Sequence, residues 1–190
     1  MTATDPHRPQ CATAGEVDTS EHLLAELRRH SAGLDIEVAV GDLMGFPEHM
    51  SERADLVLCM GDTLTHLHDE EQVQELMRLV AGSLRAGGRF VATFRDYRQL
   101  PHGSDRFILV RSDAERILTC FLEEADQHVV VHDVFHERRD AAWEMRASSY
   151  RKLRLSPTAV VDAATAAGLR CTVGDGPRGM VEVRAELPAR

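Results

Sequence analysis

Short apolar segments alternate with amphipathic helices in the first half of the chain, and this order limits the fold more than any other feature. The segment ADLVLCMGD (54–62) predicts a buried strand, and residues 69–84 then repeat apolar side chains at spacings of three and four. A second apolar segment, RFVATFRD (89–96), follows that helix. Because runs of about 5 to 7 apolar residues between helices are typical of parallel strands, the sequence predicts a doubly wound α/β fold.

The rest of the chain extends this pattern in both directions. GEVDT (15–19) predicts a short buried strand, SEHLLAELRRH (20–30) a helix capped by Thr19 or Ser20, and IEVAVGD (36–42) another strand. Residues from about 106 to 155 alternate in longer runs, which predicts an antiparallel β insert over one end of the sheet. A helix at 156–168 and an antiparallel hairpin at 169–187 complete the predicted fold.

Composition excludes several classes of protein. The formal charge of −9 argues against nucleic acid or an anionic membrane surface as the main partner. The four cysteines form no CxxC pair, and no apolar run approaches the length of a membrane span. We therefore expect a cytoplasmic protein that binds a small molecule. We expect no metal site, because adjacent members of the set His128, His132 and His136 would lie about 13 Å apart along a strand, which is too far to share one ion.

Polar side chains follow the predicted parallel strands, at the edge where open α/β sheets bind ligands. They are Asp18, Asp42, Asp62 with Thr63, and Arg95 with Asp96. Each acid alone has a simpler explanation as the cap of the next helix. Together they predict one crevice in which Asp18, Asp42 and Asp62 converge.

The segments VDTSEHLLAEL, IEVAVGDL, ADLVLCMGDTLTHL and LRAGGRFVATFRDY resemble, in order and spacing, the class I S-adenosylmethionine-dependent methyltransferases. The segments LCMGDTLTHL, GGRFVATFRDY and SSYRKLRLS are most similar to glycine and sarcosine N-methyltransferases. The resemblance covers about residues 15 to 187 and implies a Rossmann-like sheet without its first strand and helix. Residues 1–13 are rich in proline, threonine and histidine and show no periodicity, which predicts a poorly ordered tail before a methyltransferase-like domain at 14–190.

The resemblance assigns roles to individual residues. S-adenosylmethionine would be the cofactor, with its ribose, adenine and methionine parts held by Asp18, Asp42, Leu43, Met60, Gly61, Asp62 and Thr63. Arg95 and Tyr97 would bind the acceptor, because an arginine can hold a carboxylate through two parallel hydrogen bonds. Arg95 has an equally good explanation as a structural partner of Asp96 or Glu144.

Methyl transfer requires mainly alignment and exclusion of water, because the sulfonium is already activated. An amine acceptor must lose its proton first, and the candidate bases are His66, Tyr150 and His132, of which His132 is also expected to line the acceptor pocket. The predicted function is therefore N-methylation of a small amine or amino-acid-like acceptor.

The glycine-rich turn of this fold is the one motif that we do not find before Asp18. CATAG (11–15) has a single glycine and no preceding apolar strand. The chain is then expected to be either a shortened methyltransferase or a natural short form in which its tail or a second copy covers the place of the missing strand. Free strand edges favour a homodimer. The alternatives are a non-catalytic methyltransferase-like scaffold and, with less support, a nicotinamide-dependent oxidoreductase.

Overall fold

The computed structural model describes residues 14–140 and 142–189. The chain divides after Arg53 into two compact units. None of the helices in the described ranges combines the length and the apolar character that crossing a membrane requires.

The first unit contains a parallel pair of strands and one helix. Strand β1 (Ala14–Asp18) leads to helix α1 (Glu21–His30) and strand β2 (Ile36–Val40), and Asp18 lies opposite Val40 in the parallel register. Ser20 begins the helix, since its hydroxyl accepts a hydrogen bond from the Leu23 amide. The expectation of a buried first strand is wrong for Ala14, Gly15 and Glu16, which are exposed.

The second unit begins with strand β3 (Ala54–Cys59), helix α2 (Glu70–Ser83) and strand β4 (Leu84–Phe94). The helix buries the apolar stripe that its sequence predicts: Val73, Leu76, Met77 and Val80. The segment RAGG (85–88), whose two glycines predict a turn that ends the helix, belongs instead to β4. Gly88 is needed there because a Cβ atom at this position would lie 2.8 Å from the Arg85 carbonyl oxygen.

The antiparallel insert is a four-stranded sheet at the predicted position. Its strands, in hydrogen-bonded order, are β5 (Phe107–Ser112), β6 (Arg116–Glu124), β7 (His128–Arg139) and β8 (Ala142–Leu153). Cross-strand pairing places Val131 opposite Tyr150 and His132 opposite Ser149. Since neighbouring residues of a strand point to opposite faces, the sheet has one face with Val131, Tyr150 and Lys152, and another with His132.

The predicted C-terminal helix and hairpin are confirmed as α3 (Pro157–Ala166), β9 (Arg170–Asp175) and β10 (Val181–Glu186). Strand β10 pairs with β4, which gives a mixed sheet in the order β3-β4-β10-β9. The carboxyl ends of the parallel strands β3 and β4 therefore lie side by side, and this edge carries the polar cluster described next.

Candidate active site

A tight turn follows β3. Gly61 and Asp62 have φ angles of +74° and +77°, a left-handed conformation that is uncommon for residues other than glycine. Thr93 of β4 holds the turn, because its side-chain oxygen accepts the Gly61 amide at 3.0 Å and its carbonyl accepts the Asp62 amide at 3.0 Å. Strand β4 therefore fixes the backbone from which the Asp62 side chain extends.

The Asp62 carboxylate is enclosed by groups of the chain itself. One oxygen accepts the Arg95 amide at 2.8 Å, and the other accepts the Tyr97 hydroxyl at 2.7 Å and the Lys152 ammonium at 2.6 Å. The Asp62 and Lys152 side chains are 9% and 8% exposed. Burial and the Asp62 charge raise the pKa of Tyr97 well above its usual range, so the phenol is a hydrogen-bond donor here.

These contacts do not fit two of the predicted roles. Asp62 was expected to face the cofactor, but its carboxylate binds the Lys152 ammonium group of the same chain. Tyr97 was expected to contact the acceptor, but its side chain is buried and its hydroxyl is used on Asp62. Both residues instead stabilise the turn after β3.

His66 and Tyr150 form an accessible pair beside the buried cluster. Their rings are stacked with centroids 5.5 Å apart, and the Lys152 nitrogen lies 5.9 Å from the centroid of the Tyr150 ring. Desolvation first and the Lys152 charge second lower the pKa of His66. Desolvation first and the neighbouring Asp133 carboxylate second raise the pKa of Tyr150 to about 12.

The two rings therefore differ in the chemistry that they offer. His66 has a neutral imidazole near neutral pH and can accept a proton, whereas Tyr150 retains its own proton. Tyr150 is 37% exposed and His66 is also exposed, so an incoming molecule can reach both. Of the two predicted catalytic residues, His66 has the properties of a base and Tyr150 those of its stacking partner.

His132 does not join this cluster, although we expected it to line the acceptor pocket. It lies on the opposite face of the insert from Tyr150, because the register pairs it with Ser149. Its Nε2 is 2.7 Å from a Glu123 carboxylate oxygen, and its ring lies 5.8 Å from that of Phe121. The single-residue alternation of a strand decides this placement.

Arg95 lies at the end of β4, next to the cluster. Its side chain is exposed and donates to the Arg178 carbonyl at 3.3 Å. The two acids considered as its structural partners are otherwise engaged, since Asp96 pairs with Arg98 and Glu144 with Arg139. Arg95 therefore presents its positive charge to solvent.

The first unit brings Asp18 and Asp42 to one edge. They follow the adjacent ends of β1 and β2, and the Gly41 amide donates to the Asp18 carbonyl at 3.2 Å. Asp18 accepts the Ser20 amide and Asp42 accepts the amides of Met44 and Gly45, in each case through Oδ1. Two carboxylates at the ends of parallel strands offer hydrogen-bond acceptors, which suit the hydroxyl groups of a nucleoside because these can donate.

Three of the remaining predicted cofactor residues, Met60, Gly61 and Thr63, lie on the exposed part of the turn after β3, and Leu43 is half-buried beside Asp42. The Thr63 hydroxyl donates to the Met60 carbonyl at 2.7 Å. These residues thus leave an accessible surface between the buried Asp62 and solvent.

Sequence reasoning missed two members of the cluster, Lys152 and Asp133. The signal for Lys152 was present in the segment SSYRKLRLS, since Tyr150 and Lys152 are two residues apart on a strand and share a face. Nothing in the sequence indicated that a lysine would be buried there. No three histidine, cysteine or acidic side chains in the described ranges are arranged to hold a metal ion.

Comparisons with known proteins agree with this architecture. Residues 6–88 match a family described as a methyltransferase domain. A methyltransferase structure from Clostridium acetobutylicum, described as S-adenosylmethionine-dependent, aligns with a TM-score of 0.77 at 16% identity, covering 94% of this chain and 76% of that one. A search of curated protein sequences found no match.

Two further aligned structures are of enzymes whose class of substrate is stated. An amino pentose methyltransferase from Micromonospora echinaspora, solved with bound S-adenosylmethionine, aligns with a TM-score of 0.76 at 15% identity, covering 92% of this chain and 74% of that one. A sugar N-methyltransferase from a Streptoalloteichus species aligns with a TM-score of 0.73 at 14% identity, covering 93% of this chain and 71% of that one. At such low identities the structural matches establish the fold, which is the Rossmann-like methyltransferase fold. The match to the methyltransferase domain family supports an enzyme that uses S-adenosylmethionine.

Proposed function

We propose that this chain transfers a methyl group from S-adenosylmethionine to the nitrogen of a small amine. The observation that carries the proposal is the accessible His66 ring, stacked on Tyr150 beside the buried pair of Lys152 and Asp62. This group lies at the carboxyl ends of β3 and β4, where open α/β sheets bind their ligands. The methyltransferase domain match supports the reaction class.

The role of His66 follows from the state in which an amine arrives. An ordinary alkylamine is protonated at neutral pH, and its nitrogen then has no free electron pair with which to attack a carbon. The neutral His66 imidazole accepts that proton, and stacking on Tyr150 holds the ring in place. The freed nitrogen would form a bond to the methyl carbon as the carbon–sulfur bond breaks, and the electron pair of that bond would leave with the sulfur. Positioning of the nitrogen in line with that bond then supplies most of the remaining acceleration.

The cofactor supplies the activated methyl group when it is bound. Asp18 and Asp42 offer carboxylate oxygens that suit the ribose hydroxyls and the adenine amine, with Leu43 beside the base. In the second unit, Met60, Gly61 and Thr63 form an exposed surface at the turn after β3, at the strand ends where open α/β sheets bind ligands. Asp62 is left out of this set, because its carboxylate already has three donors.

The acceptor class is proposed from two sources. The names of the aligned structures include an amino pentose methyltransferase and a sugar N-methyltransferase, which favour an amino sugar. The solvent-facing charge of Arg95 favours an acceptor that carries a carboxylate or another anionic group. An amino sugar with an anionic substituent satisfies both, and an amino acid satisfies the second.

The experiment is a panel of amino sugars and amino acids incubated with the protein and S-adenosylmethionine, with products identified by mass spectrometry. We expect one added methyl group on nitrogen, and we expect His66→Gln to lower the rate about 100-fold or more. His68→Gln is the matched control, since His68 is an exposed histidine two residues away. Methylation of oxygen or carbon, or equal rates for both variants, would contradict the proposal. A folded protein that binds no S-adenosylmethionine would favour a non-catalytic scaffold.

We also propose that residues 14–190 form one methyltransferase-like domain in the cytoplasm. The support for a single domain is that the aligned structures cover 92–94% of the chain in one match.

A homodimer is proposed through strand β5. Every residue of this strand is exposed, including Phe107 and Leu109 at 62% and 63%, and in the described chain it pairs only with β6. Antiparallel pairing of two copies would place Arg106 of one against Asp113 of the other. Light scattering should give a dimer mass that Leu109→Lys reduces to a monomer and Leu34→Lys, at another exposed leucine, does not. A monomeric wild-type protein would refute this interface.

A further inference from the structure

The Lys152 side chain links the buried acid to the accessible ring pair. Its nitrogen lies 2.6 Å from a carboxylate oxygen of Asp62 and 3.3 Å from the Asp62 carbonyl oxygen. The same nitrogen lies 5.9 Å from the centroid of the Tyr150 ring, on which His66 is stacked. The Lys152 ammonium group therefore contacts both the Asp62 carboxylate and the Tyr150 ring, on which the predicted base His66 is stacked.

The charged and titratable groups around His66 come from several elements. They are Asp62 on the preceding turn, Tyr97 after β4, Lys152 and Tyr150 on β8, and, next to Tyr150, Asp133 on β7 and Cys120 on β6. Among these, Lys152 and Asp62 act on His66 in opposite directions: the positive charge disfavours the imidazolium and the negative charge favours it. Desolvation of the ring lowers the pKa of His66 most, and the balance between these two charges adjusts it further.

We propose that Lys152 is a positioning residue that offsets the charge of Asp62 and holds Tyr150, so that His66 stays neutral and able to take the acceptor's proton. Without Lys152, the buried Asp62 carboxylate would face the cluster as an uncompensated negative charge. His66 would then hold its proton more tightly and would no longer be free to accept one from an ammonium group. The role in catalysis rests on the proposed function, whereas the electrostatic coupling does not.

The test is the titration of His66 followed by nuclear magnetic resonance on the full chain without cofactor or acceptor. The chain has ten histidines, so the His66 signal is identified by its loss in His66→Gln. Lys152→Met should raise the titration midpoint of His66, because the positive charge that disfavours the imidazolium is removed. Asp62→Asn should lower it, and the double variant should return it close to the wild-type value. Lys152→Arg, which keeps the charge, should also stay close to wild type.

The two opposite shifts separate this proposal from a merely structural role. If folded Lys152→Met and Asp62→Asn both leave the His66 midpoint unchanged, or shift it in the same direction, the proposal is overturned. Should Lys152→Met not fold, Asp62→Asn and the double variant decide the question by the same signs. Because the measurement needs no methyl transfer, a protein that methylates nothing but shows the opposite shifts would refute the proposed function and leave the coupling intact.

Discussion

The Asp62 and Lys152 pair gives the strongest prediction about stability. Each side chain is less than one-tenth exposed, so removing one partner leaves the other charged group buried without its counterion. Breaking a buried pair in this way costs about 3–5 kcal/mol. A domain has a free energy of unfolding of only about 5–15 kcal/mol, so either single variant should lose a large part of its stability.

The double variant Asp62→Asn/Lys152→Met removes both charges together. Asparagine suits position 62, because it tolerates the left-handed backbone better than most residues and its carbonyl can still accept the Arg95 amide. We therefore expect the double variant to be more stable than the sum of the single effects implies, with a coupling energy of about 2 kcal/mol or more.

Urea denaturation measures this cycle, and the single tryptophan, Trp143, reports from the strand that carries Lys152. Asp55→Asn with Arg85→Met is a control, since that ion pair is exposed and surface pairs contribute about 1 kcal/mol or less. Additive effects at positions 62 and 152, or single losses below about 1 kcal/mol, would show that the pair is not desolvated as described.

Three further predictions concern ligands and pH. The pKa of His66 lies below its usual value of 6.5, so kcat should be maintained at neutral pH. It should fall only when the pH drops through the lowered pKa and the imidazole becomes protonated. A midpoint above 6.5 in a pH–rate profile would contradict this prediction. Asp18→Asn should weaken S-adenosylmethionine binding about tenfold in calorimetry, whereas Asp35→Asn, at an exposed loop acid, should not. Arg95→Ala should raise the acceptor KM about tenfold with cofactor affinity unchanged, and equal loss of both would indicate a structural role.

The alternation of apolar strands and helices was sufficient to predict most of the fold. Capping residues such as Ser20 and the apolar stripe of α2 act locally, so their sequence signals translate directly into structure. One exception is RAGG, whose sequence predicts the turn after a helix but which lies near the start of β4. Pairing of β4 with β3 and β10 decides this, and such tertiary pairing overrides local preference.

The candidate site was predictable in its location but not in its contacts. Strand-end position drew attention to Asp62, yet it could not show that the Asp62 carboxylate binds Lys152, which lies 90 residues further along the chain. Nor could it decide between His132 and Tyr150, because a register shift of one residue exchanges the two faces of a strand. Long-range register and burial determine these details.

Calorimetric titration of the folded chain with S-adenosylmethionine tests the central claim most directly. We predict saturable binding with a Kd below about 1 mM, and comparable or tighter binding of S-adenosylhomocysteine. Absence of heat from either ligand at that concentration, in a protein whose unfolding transition shows that it is folded, would contradict the claim that this chain is a methyltransferase.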